Sequence, residues 1–138
     1  MKTLLSLFDY SGAWAAPFAD AGWNVIQWDI KHDPFMNILL TDSVEYCFEI
    51  NGWESIDGII AAVPCTDFAS SGARWFKNKD REGQTALSIE ITTVVLKIVD
   101  LYTPTDPDYE DRFFWAIENP VGRIRSLFPQ LPKPYYFQ

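Results

Sequence analysis

Cys65 stands directly after Pro64, at the end of the apolar run "DGIIAAV" (Asp57–Val63), and the polar stretch "TDFASSG" follows it. A cysteine is most often a small buried hydrophobe, and Cys47 within "VEYCFEI" fits that description. Cys65 does not, because it lies where a strand has ended, beside Thr66, Asp67 and two serines, in a segment too polar to pack. Such a position suits a thiolate facing a cleft, its pKa lowered by a nearby cation or by backbone donors. A second reactive group stands in "FFWAIENP", where Glu118 follows five apolar residues and should emerge in the same cleft. A carboxyl with apolar neighbours can stay protonated and act as an acid. The competing reading is a structural carboxylate at a strand end.

Other chemistries find little support. His32 is the single histidine, in the loop after Asp29, which argues against a Cys/His dyad of the protease type. No cluster of Cys and His offers a zinc site, so no metal is expected, and no phosphate-binding G-x-x-x-x-G-K-[ST] loop is present. The net charge of -8 argues against non-specific nucleic-acid binding over the whole surface, while leaving room for a local basic groove. Two cysteines are too few for a disulfide scaffold. The opening "MKTLLSLFDYSGAWAA" imitates a signal peptide, but its apolar run is short and stopped by Asp9, so a first buried strand is the better reading. No segment is apolar for long enough to span a membrane. A soluble, cytoplasmic protein is expected.

The elements that must position these groups follow from the alternation of apolar runs and helical patterns. Strands are expected at Thr3–Phe8, Trp23–Ile30, Met36–Leu40, Asp57–Val63 and Arg112–Asn119. A short helix is expected over Ala13–Gly22, another from Asp42 or Ser43, and a long one from Thr85. The long helix should bury Leu87, Ile91, Val94, Val95, Ile98 and Leu101 on one face. Pro64–Gly83 carries no periodicity, "TPTDPDYED" reads as a loop, and the proline-rich tail fits no element. Continuous apolar strands alternating with helices predict one α/β domain, a parallel sheet covered on both faces. In such sheets ligands bind outside the carboxyl ends of the strands. The turn Asp9-Tyr10-Ser11-Gly12 lies at one such end, where Gly12 would let backbone approach a ligand and a helix N-terminus would favour a negative group. Asp29 ends the second strand, placed either to bond ribose hydroxyls or to be solvated in a loop. Asp42 either contacts an adenine amino group or caps a helix.

These residues, in this order, resemble the DNA cytosine-5 methyltransferase family, particularly its short phage and prophage versions. "LFDYSGAWAAPFADAGWNVIQWDI" resembles the family's S-adenosylmethionine-binding strand, turn and helix with the acidic residue after the next strand. "VPCTDFASSG" resembles its Pro-Cys catalytic loop, "DREGQ" the loop's far end, and "IENP" its Glu-Asn motif. The likeness runs from Leu4 to about Phe137, departing at Tyr10, where glycine is common, and at Pro120, where many members have valine.

The resemblance implies a Rossmann-like methyltransferase core that takes S-adenosylmethionine as cofactor and cytosine-containing DNA as partner. Cys65 would add to C6 of a flipped cytosine, Glu118 would hydrogen-bond or protonate N3, Asn119 would hold the loop or the glutamate, and Pro64 would fix the backbone ahead of the nucleophile. Cofactor contacts would come from Phe8, Asp9, Tyr10, Ser11, Gly12, Trp14, Asp29 and Asp42. DNA contacts would come from Ser70, Arg74 and Arg81, the two arginines being open also to a plain surface reading. Family members continue past the equivalent of "PYYFQ" into another strand and a basic motif, and larger ones add a target-recognition domain, so a minimal core is expected. A degenerate, non-catalytic protein of the same fold, binding cofactor, DNA or a protein, is the alternative, and a methyltransferase acting on RNA is a third possibility.

Overall fold

The computed structural model describes residues 1–32 and 55–134. The strand and helix expected between Met36 and Ile50, with Asp42 and Cys47, lie outside the described residues. Within them, four strands form one all-parallel sheet: β1 (Thr3–Leu7), β2 (Asn24–Trp28), β3 (Gly58–Ala62) and β4 (Phe114–Glu118), in the spatial order β2-β1-β3-β4. The α/β expectation holds, with helices α1 (Ala16–Asp20), α2 (Phe76–Arg81), α3 (Gln84–Tyr102) and α4 (Ile124–Leu127). Asp57 stitches the amino ends together. Its carboxylate accepts from Thr3 N at 2.7 Å, its own N–H donates to Thr3 O at 2.9 Å, and its carbonyl accepts from Phe114 N at 3.3 Å.

Strand alternation sorts the core into two layers. Leu5, Leu7, Ile59 and Ala61 point to one face and meet Val95, Ile98 and Val99 of α3. Leu4 and Ile60 point to the other and meet Ala15, with Trp14, Phe18, Trp23 and Val25 around them. Burying such residues supplies about 1.5–3 kcal/mol per large aliphatic side chain, which holds the central strands. No helix among the described residues is long and apolar enough to cross a membrane.

Several expected boundaries and faces are corrected. The first helix spans Ala16–Asp20 rather than Ala13–Gly22, because Pro17 fits only a first turn. It ends with Gly22 at φ +86° and with Trp23 N donating to Phe18 O at 3.0 Å, a left-handed exit that starts β2 one residue later than expected. The stretch Pro64–Gly83 is not irregular: it holds a 3-10 helix at Ser70–Trp75 followed by α2. Another 3-10 helix, Pro107–Arg112, lies in the expected loop, started by the Asp106 carboxylate accepting from Asp108 N at 3.0 Å. The long helix buries Thr85, Ser88, Thr92, Val95, Ile98 and Val99, while Leu87 and Leu101 are about half exposed. Its inner stripe is thus hydroxyl-bearing in the first half and aliphatic in the second. An apolar count cannot see that the first half faces a polar loop.

Among the described residues, coverage of the second face stops short. Phe114 lies across Gly58 and stacks on Phe18 at 5.8 Å, edge-on to Trp23 at 5.9 Å, but Ala116 and Glu118 beyond it are exposed. A Cβ at Gly58 would enter the Phe114 ring. Gly58→Ala should therefore destabilise the fold by about 1–3 kcal/mol in denaturant unfolding. The loss should shrink in a Phe114→Ala background, where the displaced ring is gone.

Candidate active site

All four strands point their carboxyl ends to the same edge, and the sheet's winding reverses between β1 and β3. The register pairs Leu7 with both Trp28 and Ala61, and Ala62 with Glu118. Along that edge stand Asp29, the Phe8–Gly12 turn, Pro64 with Cys65, and Glu118 with Asn119. The topology brings these sequence-predicted residues to one rim, at the kind of switch point where α/β sheets bind ligands.

The first turn is built tightly. Phe8, at φ +62°, is the one non-glycine residue in the left-handed region among those described. That conformation costs of order 1–3 kcal/mol and is held by Phe8 N donating to Trp28 O at 2.8 Å and by its ring against the core. Asp9 is buried. Its carboxylate accepts from Ser6 Oγ at 3.1 Å and from Ala15 N at 3.0 Å, so the negative group near the start of α1 is the protein's own. The Asp9 carbonyl accepts from Gly12 N and from Gln27 Nε2. Gly12, at φ +73°, lies so close to the Gln27 amide that a Cβ would crowd it. Ser11 Oγ accepts from Ala13 N, and Trp14 packs against the Leu4, Ala15 and Ile60 cluster. Two groups face outward or stand at the rim. Tyr10 is exposed, its ring 5.0 Å from His32 and beneath Lys31 Nζ, while Asp29 is buried with one oxygen accepting from Lys31 N at 2.8 Å.

The loop after β3 is anchored rather than loose, which corrects the expectation that it is too polar to pack. Cys65 is a partly buried free thiol, and its carbonyl accepts from Phe68 N and Ala69 N, closing a turn. Asp67, Phe68 and Ala69 are buried. The Asp67 carboxylate accepts from Ser88 Oγ of α3 and pairs with Lys79 at 3.4 Å, and Lys79 also donates to Thr66 O. The hydroxyl stripe of α3 thereby receives the loop's one buried charge, which burial alone would disfavour.

The segment after β4 clamps this loop from the other side. Ala69 and Gly122 form an antiparallel bridge, Ser70 N and Oγ both donate to Val121 O at 2.8 Å, and Arg123 N donates to Phe68 O at 2.8 Å. A Cβ at Gly122 would collide with the Phe68 carbonyl, so only glycine fits. Arg123 spreads its guanidinium over three partners: Asp67 O through Nε at 2.9 Å, Thr85 Oγ1 at 3.0 Å, and both oxygens of Asp80 at 3.1 and 2.8 Å. It also lies 3.6 Å above the Phe76 ring. Hydrogen bonds from Arg123 and then Thr85 hold the Asp80 carboxyl below its ordinary range.

Glu118 departs from expectation in its surroundings: it is exposed rather than enclosed by apolar neighbours. Asn119 donates from Nδ2 to Val63 O at 3.4 Å, while its buried Oδ1 has no partner among the described residues. Of the expected DNA contacts, the Ser70 hydroxyl is engaged with Val121, Arg81 donates to Asn78 at 2.9 Å within α2, and Arg74 is exposed over Trp75. A groove of about 430 Å³ beside α3 and Trp115 is lined by none of these residues. Gly122, Arg123, Asp80 and Lys79 were missed by sequence reasoning. The glycine-arginine pair one residue beyond "IENP" was the available signal for the first two. The chain matches no family model, no curated protein and no solved structure.

Two outcomes follow from the clamp. Gly122→Ala should break the bridge to Ala69, seen as faster amide exchange at Ser70 and Arg123 and faster alkylation of Cys65. The folded-state pKa of Asp80 is depressed, so its contribution is present above its unfolded value of about 3.9 and lost as pH falls through the folded value. In Arg123→Ala, Asp80 should titrate at higher pH than in the wild type by NMR, and the acid limb of the stability curve should become shallower.

Proposed function

We propose that this protein is the catalytic core of a DNA cytosine-5 methyltransferase, with a Rossmann-like fold and S-adenosylmethionine as its methyl donor. The observation that carries the reading is the tie between two strand ends. Asn119 bonds the carbonyl just ahead of Pro64, and Val121–Arg123 ladder onto the loop just after Cys65, so thiol and carboxylate belong to one braced unit. The residues present at the other half of the rim fit the cofactor's chemistry. Asp29 would hold the ribose diol, Tyr10 would line the adenosine side, and the Phe8–Gly12 turn with Trp14 would bound the rest. Asp9 would act through that turn, its carboxylate being engaged with Ser6 and Ala15.

Bound there, the cofactor supplies a methyl group made electrophilic by its sulfonium. Everything else falls to the chain. The Cys65 thiolate adds to C6 of a cytosine flipped from the stack, forming a carbon–sulfur bond, while Glu118 donates a hydrogen bond or proton at N3. The ring's electron pair would then be available at C5 to bond the methyl carbon, the methyl–sulfur bond breaking and its pair staying on a neutral thioether that leaves. Loss of the C5 proton to water and departure of Cys65 as thiolate, with any proton held at N3 returning to Glu118, would then restore the aromatic ring. A soft nucleophile that can leave again explains a cysteine, and charge developing at N3 explains an acid beside it.

The purified protein should bind S-adenosylmethionine and form a covalent adduct with 5-fluorocytosine DNA in its presence. Cys65→Ser should abolish the adduct and methyl transfer while leaving thermal unfolding unchanged. Cofactor binding without any adduct would instead favour the non-catalytic alternative.

A further inference from the structure

The stretch Ser70–Gly83 crosses the clamp without being used by it on its outer side. Trp75, at the end of the 3-10 helix, is 49% exposed, an unusual state for so large an apolar ring. The Arg74 guanidinium lies 5.1 Å from its ring centre. The stretch holds four cations, Arg74, Lys77, Lys79 and Arg81, against two carboxylates, in a chain of net charge -8. With Arg123 and Arg125 these make six of the chain's eleven Lys and Arg residues. Asp80, one of the two carboxylates, is already neutralised by Arg123. The helix is rigidly based, since Gly72 N bonds Ala69 O and its backbone lies against Thr66 of the Cys65 loop.

We propose that Trp75 and Arg74 form a stacking platform for an unpaired base of a DNA strand, with Lys77 and Arg81 following its phosphates. An exposed indole offers a flat apolar face that every base can meet, an adjacent arginine adds a cation for the backbone, and the surrounding positive charge holds the polyanion. A negatively charged protein surface would match the cations but leave the exposed indole without a purpose. The Trp75 ring lies ten residues along the chain from Cys65, on a helix packed against the same loop. The base stacked there is therefore a neighbour of the target, and the inference rests on the DNA-directed reading above.

The test uses the full chain, fluorescence anisotropy, and two labelled single strands of equal length, one normal and one abasic. The wild type should bind the normal strand more tightly than the abasic one. Trp75→Ala should lose roughly 5- to 150-fold on the normal strand with little change on the abasic one. Trp75→Phe should recover most of that loss, and Arg74→Ala should weaken both strands and lower the salt dependence. Equal binding of both strands by the wild type, or unchanged binding by Trp75→Ala, overturns the platform, as does a wild type that binds neither. A 5-fluorocytosine adduct alongside unchanged DNA affinity of Trp75→Ala overturns this inference alone. Trp75-dependent base binding with no adduct and no bound cofactor overturns the methyltransferase reading instead.

Discussion

The antiparallel contact between Ala69 and Gly122, locked by Arg123, is the constraint on which the rest of the site depends. Parallel strands align their carboxyl ends, but the loops leaving those ends have no partner of their own. Here the loop after β3 and the segment after β4 partner each other. Backbone bonds run between them at Ser70 and Arg123, and the approach is so close that residue 122 must lack a side chain. Arg123 then extends the contact outward, joining Asp67 O, Thr85 and Asp80 with one planar group. A lysine would reach one of these partners but could not match the fork.

This arrangement explains why α3 has an unusual inner face. Where it passes the loop it presents Thr85 and Ser88, and the Ser88 hydroxyl meets the buried Asp67 carboxylate. Where it passes the sheet it presents Val95, Ile98 and Val99. One helix thus serves as a hydrophobic cover and as a polar bracket for the loop carrying Cys65. Leucines at the first positions would bury more apolar area, yet they would strand Asp67 without a hydroxyl partner, which for a buried charge is the larger penalty.

The sheet was legible in the sequence because its strands are short apolar runs ended by Asp9, Asp29, Pro64 and Asn119, and those same terminators are the site residues. Placing them on one rim needed only the rule that parallel strands end together. The clamp was not legible. Its bonds join residues 38 to 56 positions apart, many of them through backbone atoms, and backbone pairing leaves no mark on residue type except at Gly122. The helical state of Ser70–Arg81 was hidden for a related reason: its order comes from Lys79, Arg123 and Gly72 contacts, not from an apolar stripe. Reading Leu87 and Leu101 as buried failed because hydrophobic periodicity assumes an apolar surface on the far side.

The exposure of Glu118 bears on how such a site could work. A carboxyl exposed at the end of β4 keeps its water, which competes with any group that the carboxyl would bond. Among the described residues, Ala116 and Glu118 beyond Phe114 are exposed, whereas Cys65 is partly buried on its anchored turn. A molecule set against Ala116 and Glu118 would expel that water as it arrives and strengthen any hydrogen bond made there. The two strand ends thereby differ in kind: Cys65 is held by a braced loop before anything binds, whereas the surroundings of Glu118 would be completed by what binds against it.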